Sequence, residues 1–372
     1  MNRRDLFRTG AAAAVAGEAR AAGAAPLREK FFGCIAGVHI GSSMGATVEG
    51  WPWQRIEKEH GTLTRLLSYE HYRNGWKREP GTTEDGVERQ KLMITAIIEK
   101  KDRVTAEDVR RIWVRDIKSP GMVSEPFEAQ LLAMAKTQIP ASDIGRYCDY
   151  AGLVSMSRSC HPIGLINAGD PAGALQDTFE VGQLYNTANS RGLRWAAVTT
   201  VAIAAATRPG ATVDSVIGAI FDHCDRGIRP EIERALKLAD KAKDFKELRQ
   251  MFDGVYSGQG IPYSSSYANE IVSKAVAVFK LVKGNLYDAM IAGVNFGRDT
   301  DCLTAVAAGI SGALSGGASM PKELIEQSDR ATKLNQYTNS QRTLRETSDG
   351  LHEAYRQRLR RLRDLVEAMD AA

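Results

Sequence analysis

Long apolar runs are absent from this sequence, and no segment reaches the roughly twenty unbroken apolar residues that a membrane-spanning helix needs. A membrane partner is therefore not expected. Cysteine is scarce: the five at 34, 148, 160, 224 and 302 include no CxxC pair, and their odd number makes a poor disulfide framework. Cys34, within Gly33-Cys34-Ile35-Ala36-Gly37, reads as a small buried apolar residue. Alternating apolar and polar runs bounded by turns are nearly missing, which argues against an extensive sheet. No 30–50-residue repeat is present, so a solenoid is not expected. Charge of one sign is not concentrated either. The net charge of +4 is spread along 372 residues and is densest in the C-terminal tail, so no nucleic-acid partner is indicated.

What the chain has in abundance is helical periodicity. It recurs at 31–47, 87–100, 104–118, 124–137, 141–151, 171–184, 191–207, 212–224, 229–243, 244–252, 268–282, 285–294 and 302–316, with Pro and Gly falling between the segments. The pattern predicts an all-α fold, one compact multi-helix domain over 26–338. Residues 339–372 read as a basic amphipathic helical extension. Tyr355, Leu359, Leu362, Val366 and Met369 recur in steps of four and three among five arginines. A helix packed on its own core is favoured over a dimer seam, so a monomer or weak homodimer is expected.

The first 25 residues are of another kind. Arg3-Arg4-Asp5-Leu6-Phe7-Arg8 precedes an Ala-rich, weakly apolar stretch, and Ala19 and Ala21 offer an A-x-A cleavage site. This is the layout of a twin-arginine (Tat) export signal, which predicts a periplasmic or secreted protein. A chain folded in the reducing cytoplasm before export would need no disulfides.

Three acidic turns carry the chemistry. Asn295-Phe296-Gly297-Arg298-Asp299-Thr300-Asp301-Cys302 places two carboxylates two residues apart before a Gly/Ala-rich helix. Residues so spaced do not share a helical face, so they serve one site only at a turn or in a first helical turn. Aspartates and a threonine hydroxyl are hard oxygen ligands for Mg²⁺, Mn²⁺ or Ca²⁺; an acidic helix cap is the structural alternative. Thr83-Glu84-Asp85 supplies a hydroxyl and two carboxylates at another helix start. Two such turns facing each other would repel without cations between them. Upstream, a Gly-rich helix ends in Thr47-Val48-Glu49-Gly50, which puts Glu49 at a turn.

With these motifs in this order, the chain resembles the ADP-ribosylglycohydrolase family from about Phe31 to about Leu334. The resemblance implies an all-α fold and two divalent cations in a cleft, Mg²⁺ or alternatively Mn²⁺. Thr83, Glu84 and Asp85 would ligate one ion, and Asp299, Asp301 and possible ligand Cys302 the other. Glu49 would take the catalytic glutamate's place, with Asp85 beside it. It implies hydrolysis of a ribosyl N- or O-glycosidic bond, with ADP-ribose conjugates as the family-typical substrate. A periplasmic nucleoside or other sugar glycoside, or a non-catalytic binding role, are the alternatives. The chain departs from the family pattern at Ser42 (usually Asp), Glu84 (Asp), Gly86 (a hydroxyl residue) and Cys302 (Thr or Ser). The family's mid-chain histidine is not evident, and His161, just before Pro162, reads as either a packed or a site residue.

Overall fold

Two helices that are apolar on nearly every side, Leu27–Ala46 and Thr300–Ser315, lie against each other at the centre of the molecule. Helices without a polar face belong in a core, and these two are buried along almost their whole length. Glycine at four-residue intervals brings their backbones together. A Cβ at Gly33 would lie 2.6 Å from Gly312 O, at Gly37 2.6 Å from Ala308 O, at Gly41 2.6 Å from Thr304 Cγ2, and at Gly45 2.6 Å from Asp301 Cα. The partner numbers fall as the glycine numbers rise, so the helices run antiparallel. The closeness compensates the roughly 1 kcal/mol that each helical glycine costs relative to alanine.

The computed structural model describes residues 25–70, 75–118, 126–148, 151–256 and 265–372. The expected export signal lies outside the described residues but for Ala25. Among them are eighteen α-helices and one two-residue antiparallel ladder, Tyr69–Glu70 with Lys77–Arg78. The fold is all-α and single-domain, as the patterning predicts. Helix Arg191–Ala206 is a third buried element, and Lys30 Nζ donates to Ala206 O at 2.8 Å, serving a carbonyl at the end of that helix. Amphipathic helices such as Arg229–Lys241, Phe245–Asp253 and Lys322–Thr332 form the periphery.

Two sequence expectations change. The segment 141–151 is not one helix: Ala141–Ile144 gives way to a 3₁₀ turn at Gly145–Tyr147, where the Gly145 N–H donates to Gln183 O at 2.8 Å. The C-terminal helix, Leu344–Asp370, is longer than its periodic part and starts at a Thr343/Glu346 capping box. It docks through Leu351, Ala354 and Tyr355, but beyond Arg358 it leaves Leu359, Leu362, Val366 and Met369 exposed.

Candidate active site

The turn before helix Thr300–Ser315 is built residue by residue. The Asn295 side chain accepts from Leu63 N at 2.8 Å and donates to Leu63 O at 2.9 Å. Gly297 has φ +83°, and a Cβ there would meet Trp53 N at 2.6 Å. Arg298 also adopts a left-handed conformation, φ 67°, a strained choice for a side-chain-bearing residue. It is held by Arg298 N donating to Trp51 O and Gly50 N donating to Arg298 O, both at 2.8 Å, and by a two-point ion pair with the buried Glu270. These bonds stitch the Glu49 turn to the Asp299 turn. Asp299 then caps the helix by accepting from Cys302 N, and Thr300 Oγ1 donates to Gly45 O at 2.8 Å.

Asp299 is therefore a helix cap, and it also belongs to an acidic cluster. Ligand atoms of Asp299, Asp301 and Cys302 lie within 4.8 Å of one another, all buried. Asp301 is fully buried, and no hydrogen-bond partner reaches its Oδ1 among the described residues. Burial, then the charges of Glu49, Asp299 and Glu84, hold its carboxyl well above the usual carboxylate range. An orphaned buried carboxylate oxygen among like charges fits a cation. Cys302 fits less well as a ligand. Burial and the neighbouring aspartates keep its thiol protonated, and Sγ donates to Asp301 Oδ2 at 3.7 Å.

The second acidic turn is engaged differently. The Glu84 carboxylate curls back to accept from Gly86 N and Val87 N of its own helix, Asp85–Lys100, and from Ser42 Oγ at 2.7 Å. Burial first, and the Asp85 charge second, push its carboxyl up to about 7. Thr83 Oγ1 donates to Glu88 and accepts from Lys91 Nζ at 2.8 Å. Asp85 Oδ2 accepts from Arg158 Nη2 at 3.0 Å and from Arg89 Nη2 at 3.2 Å. Arg158 is the residue that the sequence reading missed. It arrives on the short helix Ser155–Ser159 with its guanidinium buried, 3.7 Å from Glu84 Oε2, and donates to Cys302 Sγ at 3.4 Å.

A relay beneath the site fixes the spacing of these elements. His39 Nε2 lies 3.1 Å from Gln90 Oε1; Gln90 Nε2 donates to His161 Nδ1 at 3.0 Å and to Arg158 O at 3.3 Å; His161 Nε2 donates to Ala305 O at 3.1 Å. A carbonyl can only accept, so His161 carries its proton on Nε2 and takes Gln90's N–H on Nδ1. His161 is thus a packed histidine that joins the helices bearing Asp85 and Asp301.

Glu49 sits at the rim, half-buried, where it lines a cleft of about 610 Å³ with Trp51, His60, Leu67 and Tyr69. Tyr69 is buried, and its hydroxyl donates to Thr82 O at 2.7 Å, tying the cleft wall to the start of the Thr83–Asp85 turn. The three sequence motifs therefore meet at one place.

The ADP-ribosylglycohydrolase family model matches residues 24–360. The chain belongs to the ADP-ribosylglycohydrolase family. Its members are glycohydrolases, so glycoside hydrolysis is the general chemistry to which this site belongs. A solved structure titled as an ADP-ribosylglycohydrolase-related protein complex superposes with a TM-score of 0.62 over 89% of this chain and 99% of that one, at 16% identity. Likeness at that identity speaks to the fold alone. No curated protein sequence matches the chain. Of the divalent metals typical of ADP-ribosylglycohydrolases, the Asp299–Asp301 half fits one ion. As built, the Thr83-Glu84-Asp85 half does not fit a second, because Thr83 Oγ1, the Glu84 carboxylate and Asp85 Oδ2 are engaged by Ser42, Lys91, Arg89, Arg158 and its own helix N-terminus, and a guanidinium already lies against the two carboxylates.

Proposed function

We propose that this chain hydrolyses the glycosidic bond between ribose and an acceptor in an ADP-ribosyl conjugate, at the Glu49 cleft, with a divalent cation held by Asp299 and Asp301. The observation that supports this reading is the buried Asp301 Oδ1, which no hydrogen bond reaches among the described residues, close enough to Glu49 of the cleft rim for that charge to raise its carboxyl. The cleft volume lies within the roughly 300–1,000 Å³ typical of small-molecule sites. Cleavage at an anomeric carbon builds oxocarbenium-like charge, which carboxylates stabilise. A bound cation would supply orientation of the ribose hydroxyls and further charge stabilisation. Glu49 is the carboxylate placed to accept a proton from water or to assist the leaving group. Asp85 is held between two guanidiniums, which suits a fixed negative charge better than a proton carrier.

The twin-arginine opening favours a second reading, in which the exported chain cleaves a nucleoside or other sugar glycoside at the same site. Purified protein lacking residues 1–25 should be incubated with ADP-ribosyl-arginine, ADP-ribosyl-serine, simple nucleosides and aryl glycosides, with and without Mg²⁺ or Mn²⁺. Metal-dependent release of ADP-ribose is the expected result. Turnover of nucleosides alone would select the second reading, and no turnover of any substrate would refute both.

A further inference from the structure

The Arg158 guanidinium occupies the space between the two acidic turns, within 3.0 Å of Asp85, 3.7 Å of Glu84 and 3.4 Å of Cys302 Sγ. We propose that Arg158 stands permanently in the position of the first cation, so that this site takes one divalent ion, at Asp299–Asp301, rather than two. The proposal rests on the cation reading of Asp299 and Asp301 given above.

Steric fit supports it. A Cβ at Gly86 would lie 2.5 Å from Arg158 Cδ and 2.6 Å from Nε, so the hydroxyl residue usual at this position would collide with the arginine. At position 302, sulfur in place of a hydroxyl accepts a guanidinium N–H across the longer distance that a thiol tolerates. The Glu84 carboxylate is spent on Gly86 N and Val87 N, with Oε2 facing the guanidinium at 3.7 Å. At position 42, serine replaces a carboxylate with a donor, which Glu84 accepts. Each of the four departures from the family pattern therefore touches the guanidinium or the carboxylate it faces.

Charge points the same way. Exchanging a divalent ion for a guanidinium removes one positive charge, and having serine rather than aspartate at position 42 removes one negative charge. The backbone that carries Arg158 is also fixed in place: Arg158 O accepts from Gln90, and Ser159 Oγ donates to Gly86 O at 3.1 Å. An arginine stays charged at any working pH and is no Lewis acid. In this position it binds and neutralises, and the activation of water is left to Glu49 and the remaining half of the site.

Ion counting tests the proposal. The full chain is equilibrated with saturating Mn²⁺, bound metal is measured per protein, and the electron paramagnetic resonance spectrum is recorded. One Mn²⁺ per chain with an uncoupled six-line spectrum is expected. Arg158→Ala should raise the count to two and give an exchange-coupled signal, while Arg158→Lys should stay at one. Two ions in the wild type, or a folded Arg158→Ala that still holds one, would overturn the proposal. If Arg158→Ala does not fold, the wild-type and Arg158→Lys counts decide: one ion in each upholds it, two in either overturns it. A count of zero would sink both this proposal and the cation reading. One ion without turnover of any glycoside would sink the proposed activity and leave this inference standing.

Discussion

Gly45 and Asp301 touch backbone to backbone: a Cβ on Gly45 would lie 2.6 Å from both Cα and N of Asp301. The carboxylate at the heart of the site is thus set by direct contact between the two central helices. Gly45→Ala must push the Thr300 turn away from the Glu49 turn, at a cost of about 1–3 kcal/mol for overpacking. Cation affinity should fall with it. Gly218→Ala is the control. Nothing lies within 4 Å of a Cβ there, and the position is helical, so that change should be neutral or stabilise by up to about 1 kcal/mol. Urea titration of both variants checks the contrast.

Glu49→Gln keeps the shape of the rim and removes its carboxylate. If Glu49 moves the proton, kcat should drop by about 10²–10⁴-fold. Mn²⁺ binding and thermal stability should change little. A variant with unaltered kcat would remove Glu49 from the chemistry.

Asp301→Asn separates stability from function. The native carboxylate is buried among like charges, which disfavour its ionised form. Its pKa is raised in the folded state, so above the ordinary carboxylate pKa it costs stability that a neutral amide would not. The metal-free variant should melt higher than the metal-free wild type, yet lose Mn²⁺ uptake and turnover. Asp299→Ala should also lose the ion but melt lower by about 1 kcal/mol of cap energy.

The buried histidines give the fold an acid limit. Burial lowers His161 to about 4 and holds His39 well below the ordinary histidine value. The unfolded chain takes up these protons below about pH 6.5 while the folded chain does not. Their contribution to stability is therefore full above that pH and falls as pH drops toward 4, by about 1.4 kcal/mol per pH unit for each histidine, while the raised carboxyls of Glu84 and Asp301 act in the opposite direction. Denaturant titrations between pH 7.5 and 5 should show the histidine contribution as a difference: wild type should lose stability relative to His39→Gln as pH falls.

The fold was legible because its helices are long and periodic, and because the scarcity of alternating runs left little room for a sheet. The site was legible wherever chemistry is local: Asp299, Asp301, Glu84, Asp85 and Glu49 each stand at a turn whose sequence announces a helix boundary. Arg158 was not legible. It lies 73 residues from Asp85 in the chain, on a five-residue helix with no periodicity to detect. Its only trace in the sequence is the space made for it, a glycine at 86 and a cysteine at 302. Read singly, those residues weaken a metal site; read with the structure, they fit around an arginine. The four-residue glycine spacing from Gly33 to Gly45 was visible, but its antiparallel partner register was not, because it depends on a helix some 270 residues away.

Anomalous diffraction from crystals grown with Mn²⁺ tests the central claim most directly. The account predicts one anomalous peak, within ligand distance of Asp299 and Asp301 and open to the Glu49 cleft, with Arg158 still paired to Asp85. A peak at Thr83 and Asp85 with Arg158 displaced, or no peak near Asp301, would contradict it.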